Sequence, residues 1–196
     1  MALDREKVVA AAVSLLDEGG LDGLTLRRLA DRLGVRAPTL YWHVKDKTAL
    51  IMAVAEAILA GLRELRGPAA GEPWDDWLVG VAERLRAAML AHPDGARVVS
   101  SAQLSETLSG VAELAMSTLF AHGLTLRQAR LTVLVVERFT VGYVLEEQQP
   151  PPAGSFDVDA FTRRHPTVVA AIGDYYLDGR TADDLFRDSV RVIVSR

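Results

Sequence analysis

Apolar residues recur at helical spacing along almost the whole chain, and that rhythm limits what it can fold into more than any other feature. Val8, Val9, Ala12, Leu15 and Leu16 stand three and four apart behind Asp4. This predicts a helix over residues 5–18 with an aspartate N-cap and a stop at Gly19-Gly20. Leu26, Leu29, Ala30 and Leu33 repeat the pattern behind Thr25, with arginines opposite, until Gly34 intervenes. Residues 37–43, with Pro38 in the first turn, make a third short helix, and Gly34-Val35-Arg36 between the second and third gives a helix-turn-helix.

A longer helix over 47–66 leads out of this unit. Further helices are expected over 74–91, 95–101, 106–122, 126–148, 156–164, 167–178 and 181–195, separated by the breaker-rich run 67–73, by His92-Pro93-Asp94, by Gly123 and by Pro150-Pro151-Pro152. The valine-rich stretch from Leu131 to Leu145 runs 15 residues without a turn signal, too long for an ordinary strand. No strand alternation and no internal repeat is found, so the expected fold is all-α. A helix-turn-helix head of three helices over 1–48 precedes a helical body over 49–196.

With no cysteine and 49% hydrophobic residues in a chain of 196, the fold must be held by its apolar core alone. No signal-like or membrane-spanning apolar run is present, and the cytoplasm is the default compartment. The net charge of -4 hides an asymmetry. Residues 25–48 carry six basic side chains against two acidic, or +4, whereas residues 51–196 carry 14 against 19, or -5. A basic head on an acidic body suits a protein that meets a polyanion at one end. The same charges would also suit a solvated helix face.

The run LTLRRLADRLGVRAPTLYWHVKDKTAL, from Leu24 to Leu50, resembles the DNA-binding head of the TetR family, and within it the tetracycline-repressor class. Weaker likeness continues in HPDGARV from His92 and in FTVGYVLEEQ from Phe139. In a helix-turn-helix the second helix brings its first residues to base edges in the major groove. Leu40 and Val44, four apart, fill the core side and leave Thr39, Tyr41, Trp42 and His43 to point elsewhere. The alternative is that the two aromatics pack the small core. The resemblance implies that Arg27 reads a guanine, that Pro38 and Tyr41 meet thymine methyls, and that Thr39, Trp42, His43 and Lys47 hold the phosphate backbone. Leu26 and Ala37 stand where the tetracycline-repressor class has polar residues, which implies a different double-stranded DNA operator.

Two heads about 34–36 Å apart are needed to read a useful site, so a homodimer is expected. The resemblance puts it in a four-helix bundle of helices 126–148 and 181–195, with Leu131, Leu134, Val135, Val190 and Ile193 as apolar surface. Glu137 and Arg138 interrupt the first of these, either as a surface accident or as an interface or pocket pair. The body is expected to hold a small-molecule effector among Trp77, Val81, Leu85, Val99, Gln103, Met116, Phe139 and Glu146. In the resembled class a magnesium–tetracycline chelate is held by a histidine and a polar shell. Those positions correspond here to Val99, Arg63, Val81, Leu85, Ala102 and Gln103, and only Glu146 is retained. The expected effector is therefore a more apolar molecule bound without metal or cofactor.

Histidines are scattered and Ser100-Ser101 lacks flanking elbow glycines, so no catalysis is expected. Readings left beside repression are a transcriptional activator of the same fold and a ligand-binding helical protein without a specific operator. An architectural DNA binder would need a far wider basic surface.

Overall fold

The computed structural model describes residues 3–102, 104–150 and 156–195, and among them every regular element is helical. The helices are α1 (Arg5–Gly23), α2 (Leu26–Leu33), α3 (Ala37–Leu40), α4 (Lys47–Ile58), α5 (Trp74–Leu90), α6 (Gly95–Ser100), α7 (Glu106–Ala121), α8 (Leu126–Glu147), α9 (Val158–Arg164), α10 (Pro166–Tyr176) and α11 (Ala182–Val194). The expected all-α class is what is observed.

Local chemistry sets the head. Asp4 accepts the Lys7 amide at 2.9 Å, Thr25 accepts the Arg28 amide at 3.2 Å, and Asp46 accepts the Ala49 amide at 2.8 Å, so α1, α2 and α4 each begin at a side-chain cap. Gly34 ends α2 with φ 64°, a left-handed conformation that a glycine adopts without strain. Val8, Leu15, Leu16, Leu29, Leu40, Val44, Leu50 and Val54 are all buried and form the head's core. The division expected near Ala49 thus falls inside α4, whose Leu50 and Val54 belong to that core.

Three element boundaries differ most from the sequence reading. At Gly19-Gly20 α1 kinks rather than stops, with Gly20 at φ 61°, and one more turn runs to Gly23. The third helix is only Ala37–Leu40, and a turn over Tyr41–Val44 follows, in which His43 and Val44 both donate to the Leu40 carbonyl at 2.8 Å. The helix expected over 47–66 ends at Ile58 and tightens into a 3-10 turn over Ala60–Glu64. That tightening lets Leu59, Leu62 and Leu65 all enter the core, and the Trp77 indole then fixes the outgoing chain by donating to the Arg66 carbonyl at 2.9 Å.

In the body α5, α8 and α11 pack together, α7 lies along α8, and the short α6 sits among α4, α5 and α8. Arg86 of α5, with its side chain 13% exposed, clamps this bundle. Its guanidinium donates to both Glu147 oxygens of α8, at 2.8 and 2.5 Å, and to Asp183 of α11 at 2.7 Å, above the Phe186 ring at 5.1 Å. Val190, expected on the partner-facing surface, is instead wholly buried within the chain's own core. Val192 stands outward there, 79% exposed, and Leu131 and Val135 of α8, the helix α11 packs against, are exposed as well. The helical register of α11 decides this, since Phe186, Val190 and Val194 form one stripe at spacing four. Helices α9 and α10 pack on one another and bury no residue.

The turn from α5 to α6 is the tightest joint. Asp94 adopts φ 56°, and a Cβ on Gly95 would lie 2.1 Å from the Met89 carbonyl oxygen, a backbone atom that cannot yield cheaply. Gly95→Ala is therefore expected to destabilise the protein by about 1–3 kcal/mol, as core overpacking does, and to be read as a lower urea midpoint at unchanged m-value. An unchanged midpoint would mean that the joint is soft.

Candidate DNA-binding face and effector cleft

The segment from Pro38 to Trp42 carries exposed aromatic and polar side chains. With Leu40 and Val44 inside, Pro38 and Thr39 are exposed, Tyr41 is 55% exposed and Trp42 is 90% exposed. The two aromatics do not pack the small core. An indole left in water has no folding reason, which is the mark of a contact surface. Arg27 and Lys47 are exposed and His43 is half-buried. Among the described residues Arg27, Lys45 and Lys47 form no side-chain hydrogen bond or ion pair, so their charge is free for another molecule. Arg28 and Arg32 are otherwise engaged, the first donating to the Gly23 carbonyl at 3.1 Å and the second paired with Glu18.

Two charged anchors join the head to the body. The Asp94 carboxylate, at the start of α6, accepts the Leu21 amide of α1 at 2.8 Å and Arg97 at 3.1 Å, while Arg97 also reaches Asp22 of α1 at 3.5 Å. His92 adds a 2.7 Å contact to Asp17. The Leu21 amide, with Arg97 beside it, holds the Asp94 carboxyl below its ordinary value despite partial burial. Gly20 lets this contact form, because a Cβ there would come within 2.5 Å of the Asp94 oxygen.

The second anchor is Glu56 of α4. It accepts the Ser105 hydroxyl at 2.6 Å, the Thr107 hydroxyl at 2.6 Å and Arg63 at 2.9 Å, and so ties α4 to the first turn of α7. Burial alone would raise the Glu56 carboxyl, but these hydrogen bonds outweigh it and hold it down at about 2. Gln148, just past α8, holds the same N-terminal end of α6 to the body, accepting the Ala96 amide at 3.1 Å and donating to the His92 carbonyl at 2.8 Å.

Between α6, α7 and α8 lies a cleft of about 580 Å³, lined by Val99 and Ser100, by Leu108, Ser109 and Ala112, and by Leu134, Glu137, Arg138, Val141, Gly142 and Leu145. A smaller apolar cavity of about 30 Å³ adjoins it, bounded by Val81 and Leu85 and sharing Leu108, Ala112 and Glu137 with the cleft. Of the residues expected around a ligand, Val99 faces the cleft, and Val81 and Leu85 face the adjoining cavity. Trp77 is buried under the 67–73 connection. Met116 is half-buried against the core, Phe139 stacks on Phe186 of α11 at 6.0 Å between centroids, and Glu146 is exposed. Gln103 lies outside the described residues. Arg63, aligned with the chelate shell, is spent on Glu56 and Thr107, and Ala102 is buried. Sequence reasoning left Glu137 and Arg138 undecided, and the anchors Asp94, Gln148 and Glu56 carried no signal, since each bonds to a segment far away in the chain.

The donor set does not suit a hard divalent cation. Such an ion needs several oxygen ligands, whereas the cleft offers one carboxylate and two serine hydroxyls. Among the described residues no three His, Asp or Glu side chains converge. No helix of the described residues is long and apolar enough to cross a membrane.

Two sequence families match the chain: bacterial regulatory proteins of the tetR family over residues 8–54, and the tetracyclin repressor-like C-terminal domain over residues 67–176. The tetracycline repressor protein class A from transposon 1721 of Escherichia coli is 41% identical over 200 residues, covering 98% of this chain and 89% of that protein. Among solved structures, a variant of TetR from Acinetobacter baumannii AYE in complex with minocycline superposes with a TM-score of 0.76 at 34% identity, covering 99% and 96% of the two chains. BioQ with its natural double-stranded DNA operator gives 0.69 at 27% identity, covering 97% and 99%.

The Glu56 anchor has a pH signature. Its carboxyl is depressed in the folded chain from an ordinary 4.5 to about 2, so the stability it confers is fully present above 4.5 and is lost as pH falls through 2. Glu56→Gln is expected to cost about 2 kcal/mol at neutral pH, by loss of charge-assisted hydrogen bonds. The gap to the parent protein should narrow between pH 4.5 and 2 in urea melts, and a pH-independent gap would remove the charge from the explanation.

Proposed function

Since the chain belongs to the TetR family of bacterial regulatory proteins and is a DNA-binding transcriptional regulator, we propose that it works as a homodimeric repressor released from a palindromic operator by a small molecule. The observation that carries this is the exposed Trp42 and Tyr41, together with the exposed and unpaired Arg27, on a helix-turn-helix whose Leu40 and Val44 are buried. The head, residues 1–48, is the DNA-binding unit, and 49–196 binds ligand and partner. Arg27 reads a guanine edge, Pro38 and Tyr41 meet thymine methyls, and Thr39, Trp42, His43 and Lys47 hold phosphates. Exposed Leu131 and Val135 of α8 and Val192 of α11 supply a self-complementary apolar patch for a twofold dimer.

Release follows from the anchors. Val99 and Ser100 of α6 and Leu108 and Ser109 of α7 line the cleft. The same two helices grip the head, α6 through Asp94 on Leu21 and α7 through Thr107 on Glu56. A ligand that fits the cleft better when α6 and α7 are displaced favours a conformer with displaced heads. It weakens operator binding by no more than its difference in affinity for the two conformers. The chemistry of the lining, in which apolar side chains alternate with Ser100, Ser109, Glu137 and Arg138, suits an amphipathic organic effector without metal.

Fluorescence anisotropy with DNA from upstream of the protein's own gene, against scrambled competitor at physiological salt, tests the reading. Specific binding is expected; failure there and in selection from random sequences would defeat it. Arg27→Ala should shrink the preference for operator over scrambled DNA by about 1–3 kcal/mol, whereas Lys47→Ala should weaken both alike and lower the salt slope by about 1. Undiminished preference in Arg27→Ala would take base reading away from that residue.

A further inference from the structure

Glu137 is the one carboxylate on the cleft, and nothing in the fold accounts for it. It is half-buried and bounds both the cleft and the adjoining apolar cavity. No hydrogen bond or ion pair reaches it from any described residue, in contrast to Glu56, Asp94 and Glu147, each of which is held by donors. Arg138, its neighbour in sequence, lines the same cleft but is exposed and makes no ion pair with it. Ser100 turns its hydroxyl back to the Arg97 carbonyl at 3.0 Å.

Burial raises the Glu137 carboxyl above its ordinary range against the opposing pull of Arg138, so its charge is costly in the empty cleft. An unpaired, partly desolvated charge that does not serve the fold is the kind of group that binding sites retain. Taking the cleft as the effector site, as above, we propose that its ligand is an amphipathic cation: an apolar body resting on Val99, Leu108, Ala112 and Val141, with a protonated amine donating to the Glu137 carboxylate. The pairing gains more at Glu137 than an anion would gain at Arg138, because Glu137 is the more buried of the two within the chain and attraction between charges grows as water is excluded.

Three probes that share one apolar body separate the possibilities: biphenyl-4-ylmethylamine, biphenyl-4-ylmethanol and biphenyl-4-carboxylate, titrated calorimetrically at pH 7.5 into the full-length protein. The amine is expected to bind at least tenfold more tightly than either of the others. Glu137→Gln should abolish that preference without lowering the thermal midpoint, which should rise because the charge removed is costly in the empty cleft, and Glu137→Asp should keep part of the preference. Equal binding of the three probes, a preference for the carboxylate, no binding of the amine, or an amine preference that survives Glu137→Gln would each overturn the proposal. Release is read separately, by adding the amine to the protein–operator complex. Binding of the amine without release would keep the cation site and defeat the effector reading, whereas intact operator binding with no amine preference would defeat the cation site alone.

Discussion

A carboxylate at the joint between α5 and α6 ties the head of this protein to its body. Asp94 begins α6 in a left-handed turn and accepts the Leu21 amide of α1, an amide that the kink at Gly20 has freed from the helix. Both partners depend on missing side chains. A Cβ at Gly20 would strike the carboxylate and a Cβ at Gly95 would strike the Met89 carbonyl. The head is consequently not a loose module on a linker; its orientation is set by α6, and α6 is a wall of the cleft.

Glu56 does for α4 what Asp94 does for α1. Two head helices, α1 and α4, are each fixed to a different wall of the same cleft, by charge-assisted hydrogen bonds that are short and directional. Apolar packing alone would let α4 slide over α6 and α7 with small loss, since dispersion contacts are non-directional. Fixed polar contacts turn such a slide into a change between distinct arrangements, which a ligand can bias.

Charges in the body divide into two kinds. Arg86, Glu147, Glu56 and Asp94 are partly buried and satisfied, and they position helices. Glu137 is partly buried and unsatisfied, and it faces the one large opening between α6, α7 and α8. The exposed apolar residues divide likewise. Trp42 and Tyr41 are exposed side by side on the head, while Leu131 and Val135 are exposed on α8 and Val192 on α11.

Helical spacing, caps and glycine stops made the all-α fold and the helix-turn-helix legible in the sequence, because these depend on residues at most a few positions apart. The pair Leu40 and Val44 even implied that Trp42 would face outward, as it does at 90% exposure. What the sequence could not supply was any contact between distant segments. Val190 and Val192 look alike in a list of apolar residues, and only the packing of α11 on α5 and α8 decides which is core. Phe139 and Glu146 sit on a helix that lines the cleft, yet the helix turns one toward Phe186 and the other toward solvent, while it brings Glu137 to the opening. The sequence by itself thus determined the helices and the outward face of the helix-turn-helix, since short-range hydrogen bonding and periodicity encode them. The tertiary structure alone decided the anchors, the cleft and the unpaired carboxylate, because each joins groups tens of residues apart whose meeting depends on how the helices cross.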